Sequence, residues 1–214
     1  MIYEERYTNT TSRGTRDYLS LFRDKMAPKI RTAGGEPLLL LTGLIGDRGN
    51  AVLQISRFPN LESWQSTQKD LASGRESLVE SEEVRLLISV ASRPKSVIPK
   101  EDKRPCYSYR KLFINPTDLR QFVDDSEKGV WPLYEQADCR IFGLFTTLWA
   151  TNPLELILMA GYNGPGHWME TRFLGERPTD IDPKLYDQGK QRLSSRGQLG
   201  VRGSWVRLWR PHDF

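Results

Sequence analysis

Cysteine and histidine are nearly absent from this chain of 214 residues, and their scarcity removes whole classes of chemistry. Only Cys106 and Cys139 occur, with no Cys-x-x-Cys and no histidine close by. A disulfide scaffold and a structural zinc site are therefore not expected. Cys106 opens a predicted strand and reads as a small core residue rather than a nucleophile. The two histidines are His167 and His212. No Gly-x-Ser-x-Gly, no His-Glu-x-x-His and no paired metal carboxylates occur, so serine hydrolysis and zinc catalysis have no support. Gly164-x-Gly166 lacks both a third glycine and a phosphate-binding lysine, and reads as a turn. Long hydrophobic runs are missing too: Leu38–Leu41 is far too short to cross a bilayer, so no membrane partner is expected. Met1–Arg6 begins a strand directly rather than a targeting leader, which points to the cytoplasm. Nor is there a basic stripe. The 31 Lys and Arg are interleaved with 27 Asp and Glu, for a net charge of +4 and a pI near 9.1, and no nucleic-acid partner is expected.

What the chain does have is an internal repeat. Tyr3-x-x-Arg6 returns as Tyr107-x-x-Arg110, Pro28 as Pro132, Leu40-x-Thr42-x-Leu44 as Leu144-x-Thr146-x-Leu148, and Trp64 as Trp168. One ungapped offset of 104 residues carries all of them, with ten identities across Met1–Thr67. Chance at average composition would give roughly four. A repeat of that length is the size of a small domain, not of a solenoid unit.

Each half reads in the same order. In the first, Ile2–Thr8 is a strand, and Tyr18, Leu21, Phe22, Met26 and Ile30 define a helix beginning near Thr15 and stopped by Gly34-Gly35. Pro37–Ile45 and Ala51–Phe58 form a hairpin, Asn60 caps a second helix with Leu61, Trp64 and Leu71, and Val84–Ala91 closes the half. The second half follows with a strand at Cys106–Ile114, a helix after Asn115-Pro116, a hairpin of Arg140–Leu148 and Leu154–Tyr162, and a helix opening at Gly166 or His167. Val206-Arg207-Leu208 matches Val84-Arg85-Leu86, but 122 residues away, so about 18 residues are inserted within Arg172–Ser204. That polar stretch, rich in Gly, Pro and Asp, reads as a loop or flap. The β-α-β-β-α-β order is the ferredoxin-like plan. The fold class expected is α+β: two tandem ferredoxin-like domains packed face to face as an intramolecular dimeric α/β barrel. The boundaries are 1–91, a linker at 92–104, and 105–214 with the insertion around 172–204. A working cavity is expected between the two sheets.

Ile2-Tyr3-Glu4-x-Arg6 opening a strand, a helix with Tyr18, Leu21 and Phe22, and a later hydrophobic hairpin resemble the NIPSNAP proteins of the dimeric α/β-barrel superfamily. The resemblance covers most of the first half and reaches the second through Tyr107-x-x-Arg110. The family's hairpin carries an aromatic pair around its third strand; here Phe58 and Tyr162 keep the second position, while Ser56 and Ala160 replace the first. The resemblance implies architecture above all. The wider superfamily includes cofactor-free monooxygenases, lyases, isomerases, polyketide cyclases and haem enzymes.

Strand alternation sets Glu4 and Arg6 on one face, with Ser108 and Arg110 at the matching positions. Arg6 and Arg110 would hold a carboxylate or an enolate-like anion between them, with Glu4 as a buried base. A structural Arg–Glu pair is the alternative. His167 stands where the first half has Ser63 and is the candidate general acid or base, with haem ligation as the lesser role and a capping or surface histidine as the alternative. His212 belongs to the tail. Tyr162, Trp149, Trp168, Trp64 and Phe58 are the candidate substrate-binding aromatics, with Trp131 adding aromatic surface and Trp64 and Trp168 reading first as core anchors. These features point to a cofactor-free small-molecule enzyme of lyase, isomerase, cyclase or monooxygenase type, working as a monomeric pseudo-dimer or a homodimer. A non-enzymatic ligand-binding or scaffold protein is the alternative, and a haem protein the lesser one.

Overall fold

The computed structural model describes residues 1–149, 151–173, 176–199 and 203–214. They group into two compact units, Met1–Ile88 with Arg207–Phe214, and Ser89–Val206. The fold class is α+β, and both halves repeat one element order.

In the first unit β1 (Ile2–Thr10) is followed by α1 (Thr15–Leu21), a π-helical turn (Phe22–Met26) and α2 (Ala27–Thr32). Next come β2 (Glu36–Ile45), β3 (Ala51–Phe58), α3 (Leu61–Ala72) and β4 (Val79–Ser89). β1 lies between β3 and β4, and β2 lies outside β3, all antiparallel. The outer edge of β2 takes Leu208–Pro211, which belong to the last strand of the chain.

The second unit repeats the first four of these elements to the residue. β5 (Cys106–Ile114) is offset from β1 by 104, and so are α4 (Leu119–Asp125), a second π-helical turn (Ser126–Val130) and α5 (Trp131–Gln136). β6 (Arg140–Thr147), β7 (Leu154–Tyr162) and α6 (Pro165–Glu170) follow, with β7 paired antiparallel to both β5 and β6.

The π turn has a cause in the sequence. Tyr18, Phe22, Met26 and Ile30 are spaced by four, which drifts about 40° per step around an α-helix. One wider turn absorbs the drift, so all four side chains reach the core. Phe122, Ser126, Val130 and Tyr134 repeat the spacing and the solution. The residue that ends the helix repeats as well: Gly34 and Asp138 both adopt positive φ, 77° and 60°.

The stretch read as a loop contains a 16-residue helix, α7 (Pro183–Gln198), which precedes β8 (Ser204–Pro211). Its start is encoded: the Asp182 side chain accepts from the Leu185 N–H and Pro183 follows. Its packing face is not an apolar stripe, which is why periodicity failed to reveal it. Gly189 lies against Leu133, and Gly129 of the π turn against the Arg192 stem; a Cβ at either would come within 2.6 Å of its neighbour. The two glycines let the backbones approach, and Arg192 then reaches buried Asp125 at 2.8 Å. The Ser195 hydroxyl donates to the same carboxylate at 2.7 Å. Burial opposes ionisation of Asp125, but those two partners hold its carboxyl below the usual range.

Candidate functional site

The two halves use the same arginine position differently. In the first unit Arg6 and Glu4 are almost fully buried, at 2% and 1% exposure. Arg6 Nε donates to Glu4 Oε1 at 2.8 Å and Nη2 to Glu4 Oε2 at 3.1 Å. Its remaining hydrogens reach Glu82 Oε2 at 2.5 Å and Gln68 Oε1 at 2.6 Å. Trp64 Nε1 and Gln68 Nε2 donate to Glu4 Oε2 at 2.6 and 3.0 Å. Arg75 pairs with Glu82, to which Thr8 also donates. Two arginines thus face two glutamates, and every guanidinium nitrogen of Arg6 is engaged. Burial opposes the Arg6 charge, but Glu4 and Glu82 more than compensate and its pKa is raised. Since the partners lie on α3 and β4, this face of β1 is the one covered by the unit's own helices.

The strand register carries the comparison across. Arg6 sits opposite Gln54 and Arg110 opposite Leu158, each in the same pairing of strands. At the offset of 104, Glu4 becomes Ser108 and Gln68 becomes Arg172, while Glu82 becomes Ser204 at the later offset of 122. Every carboxylate that held Arg6 is gone, and one neutral partner is now a cation.

In the second unit that space is a cavity of about 310 Å³ between β5, β6 and β7 on one side and α5 and α7 on the other. Arg110, Arg172, Lys190 and Arg196 project into its wall. Trp131, Tyr134, Tyr162 and Phe173 form the aromatic part, and Ser108, Leu158 and Ala160 part of the floor. None of the described lining residues is acidic. Lys190, Leu193 and Arg196 share one face of α7, so the inserted helix supplies two of the four cations. Arg172 lies over the Trp168 ring at 5.6 Å, and Lys190 Nζ donates to the Phe173 carbonyl at 3.1 Å. Arg196 stacks on Phe122 at 4.4 Å and donates to Ser126 Oγ at 3.2 Å. Its Nε and the Trp131 indole N–H are buried without a partner among the described residues. Arg110 likewise meets no hydrogen-bond or ion-pair partner among them.

The electrostatic strain is visible in the cations. Burial, and then the charge of Arg172, push the Arg110 guanidinium below its ordinary value. Burial drives Arg196 down to about 10, with Arg110 adding repulsion and Asp125 and Tyr134 acting the other way. Burial raises Tyr162 and Tyr134 in turn, so both phenols stay protonated; Tyr162 shares a hydrogen bond with Ser108. Phe173 has φ of 50°, an uncommon backbone state for an aromatic residue, and packs edge-on against Tyr134 and Tyr186.

Several sequence expectations are corrected here. Arg6 is paired with Glu4 and Glu82 within the first unit, and Arg110 lines the cavity of the second. Glu4 is consumed by Arg6, Trp64 and Gln68 rather than left as a base. The cavity belongs wholly to the second unit. His167 lies outside its wall: Nδ1 accepts from the Asn163 N–H at 3.0 Å, and Nε2 lies 2.7 Å from the Ala137 carbonyl. The imidazole therefore ties the start of α6 to the end of α5, beside a separate hollow walled by Asp138, Glu170 and Asp180. With both ring nitrogens engaged, His167 does not fit the role of a haem ligand. His212 is bound to Thr42 at 2.8 Å. Among the expected aromatics Tyr162 lines the cavity, Trp168 sits beneath Arg172, Trp64 binds Glu4, Phe58 is core, and Trp149 is 52% exposed. Both cysteines are buried, and burial raises Cys139 to about 12, leaving an inert thiol.

Arg172, Lys190, Arg196, Tyr134 and Phe173 were missed. A signal for the first existed: comparing repeats position by position, Glu4 against Ser108 and Gln68 against Arg172, exposes the lost acids.

Among the described residues no group of three or more His, Cys, Asp or Glu is arranged to hold a metal, and no helix is long and apolar enough to cross a membrane. No family model and no curated protein matches the chain. Solved structures do. A candidate monooxygenase from Lactobacillus acidophilus superposes with a TM-score of 0.66 at 13% identity, covering 98% of this chain and 93% of that one. An anthrone oxidase-like protein gives 0.58 at 13% identity, covering 99% and 91%. A chlorite dismutase variant from Candidatus Nitrospira defluvii gives 0.54 at 9% identity, covering 99% and 92%. At these identities the likeness is one of fold, and it extends over both halves of the chain.

Proposed function

We propose that the protein is a small-molecule enzyme whose active site is the cavity of the second unit, and that it acts on a planar, enolisable organic substrate. The observation that carries this reading is the cavity wall, where four cations and four aromatic side chains meet no described acid. Such a wall favours a substrate that becomes anionic: each cation lowers the energy of an enolate more than that of its neutral parent. Tyr162 and Tyr134, kept protonated by burial, are suited to donate hydrogen bonds to the developing oxyanion. Aromatic walls suit a flat ring system. The fold likeness to an anthrone oxidase-like protein and to a candidate monooxygenase favours oxygen-dependent oxidation over lyase, isomerase or cyclase chemistry.

The test is oxygen uptake with anthrone, which consumes one O2 and yields anthraquinone and water. The wild type is expected to accelerate it saturably. Ala160→Phe, which fills the floor of the cavity, is expected to lower the rate at least tenfold while melting like the wild type. Turnover at the wild-type rate in that variant would overturn the assignment of the site. A second reading is a ligand-binding protein without catalysis, favoured by the absence of any described carboxylate or histidine from the wall. Saturable binding of anthrone with no oxygen uptake would decide for it.

A further inference from the structure

The first half contains a worked example of how this fold satisfies the repeated arginine, and the second half lacks its carboxylates. In the first unit the Glu4 carboxylate takes two hydrogen bonds from Arg6, one from Trp64 and one from Gln68. In the second unit the arginine recurs as Arg110, the tryptophan as Trp168 and the glutamine position as Arg172, while Glu4 is shortened to Ser108. Cutting a glutamate to a serine removes the carboxylate and leaves the space it occupied. That space is part of the cavity, since Ser108, Arg110 and Arg172 all line it.

Resting on the site assignment above, we infer that the ligand carries its own carboxylate and sets it on Arg110 at the position Glu4 holds beside Arg6. Arg172, in the place of Gln68, adds a second cation to the carboxylate. The Ser108 hydroxyl, on the floor beside it, adds a donor. The remaining cations then have a separate task. Arg196 enters from α7, an element the first half does not possess, and carries an unpartnered N–H. With Lys190 it enters the cavity on the helix side, to which Trp131 and Tyr134 of α5 also belong. The substrate class is therefore a flat aromatic acid, bound by its carboxylate at the strand side and by its ring at the helix side. Bidentate guanidinium–carboxylate pairing in a buried site gives both the affinity and the orientation. The free protein keeps the cations uncompensated, a strain that the ligand relieves.

The test uses 2-naphthoate and its neutral isostere 2-naphthamide, titrated calorimetrically into the wild type, Arg110→Met, Ser108→Glu and Ala160→Phe. The wild type is expected to prefer the acid at least tenfold. Arg110→Met is expected to abolish that preference while still binding the amide. Ser108→Glu restores the Glu4 carboxylate beside the repeated arginine, and it is expected to lose naphthoate binding and to melt higher than the wild type; Ser108→Gln, without the charge, is expected not to gain stability. Equal binding of acid and amide, both blocked by Ala160→Phe, would overturn the carboxylate inference and leave the cavity assignment standing. Binding of either probe undiminished by Ala160→Phe would overturn both. A Ser108→Glu protein that binds naphthoate as the wild type does would overturn the inference by itself.

Discussion

Arg6 and Arg110 occupy one position of a duplicated fold, on the same face of the same strand, and their surroundings have diverged completely. Around Arg6 two carboxylates, an indole and an amide close a buried network in which each charge is matched. Around Arg110 the acids are gone, further cations have arrived and an open volume remains. The lesson is that buried charge serves two purposes in one chain. Matched, it fixes a unit's interior. Unmatched, it leaves buried cations beside an open volume. At the matching positions one half has a glutamate and the other a serine, so the carboxylate that closes the first network has no counterpart in the second.

The sharpest way to break this comparison is to remove each arginine in turn. Arg6→Met strands the buried Glu4 carboxylate, while Arg75 still holds Glu82, and is expected to cost about 3 kcal/mol or more of unfolding free energy. Arg110→Met strands nothing and is expected to change stability by less than about 1 kcal/mol, in either direction. Equal losses in denaturant titrations would show that the second site is as structural as the first. Arg196→Met probes the strain directly. A cation whose pKa is depressed by folding opposes folding at neutral pH, so its removal is expected to stabilise the free protein by about 1–2 kcal/mol. The same change is expected to weaken naphthoate binding about tenfold, and a destabilised variant would contradict that account. A small effect, and none on binding, is expected from His167→Ser, which imports the first-half residue. It removes the link between Asn163 and Ala137 and should cost about 1 kcal/mol in thermal melts. Naphthoate affinity should not change, and a large loss would return His167 to the site.

Much of the architecture was readable in the residues. The offset of 104 reappears in strands, helices and even the π turns, because it is carried by core side chains whose spacing dictates the backbone. The helix of the insertion was not readable, because glycine and arginine stems pack its face and leave no apolar period. The candidate site was half readable. Arg110 and Tyr162, singled out from the repeat and the hairpin, both line the cavity. Arg172, Lys190 and Arg196 were not, since nothing local distinguishes a cation entering a cavity from one in water. His167 misled for a similar reason: rarity drew attention to it, whereas both its nitrogens serve to join two loops.

By itself, then, the sequence determined the duplication, the element order and the narrow range of chemistry that two histidines and two cysteines permit. These are properties of composition and of short-range periodicity, which act through local backbone preference and burial. Only the tertiary structure decided which face of β1 and β5 carries the arginines, that the acids of one half are missing from the other, and that α7 lies where Lys190 and Arg196 reach the same cavity. Those outcomes depend on residues as much as 88 positions apart, Ser108 and Arg196 among them, meeting at one cavity wall. No local pattern records such a meeting, because the energy of a charge is fixed by what surrounds it after folding.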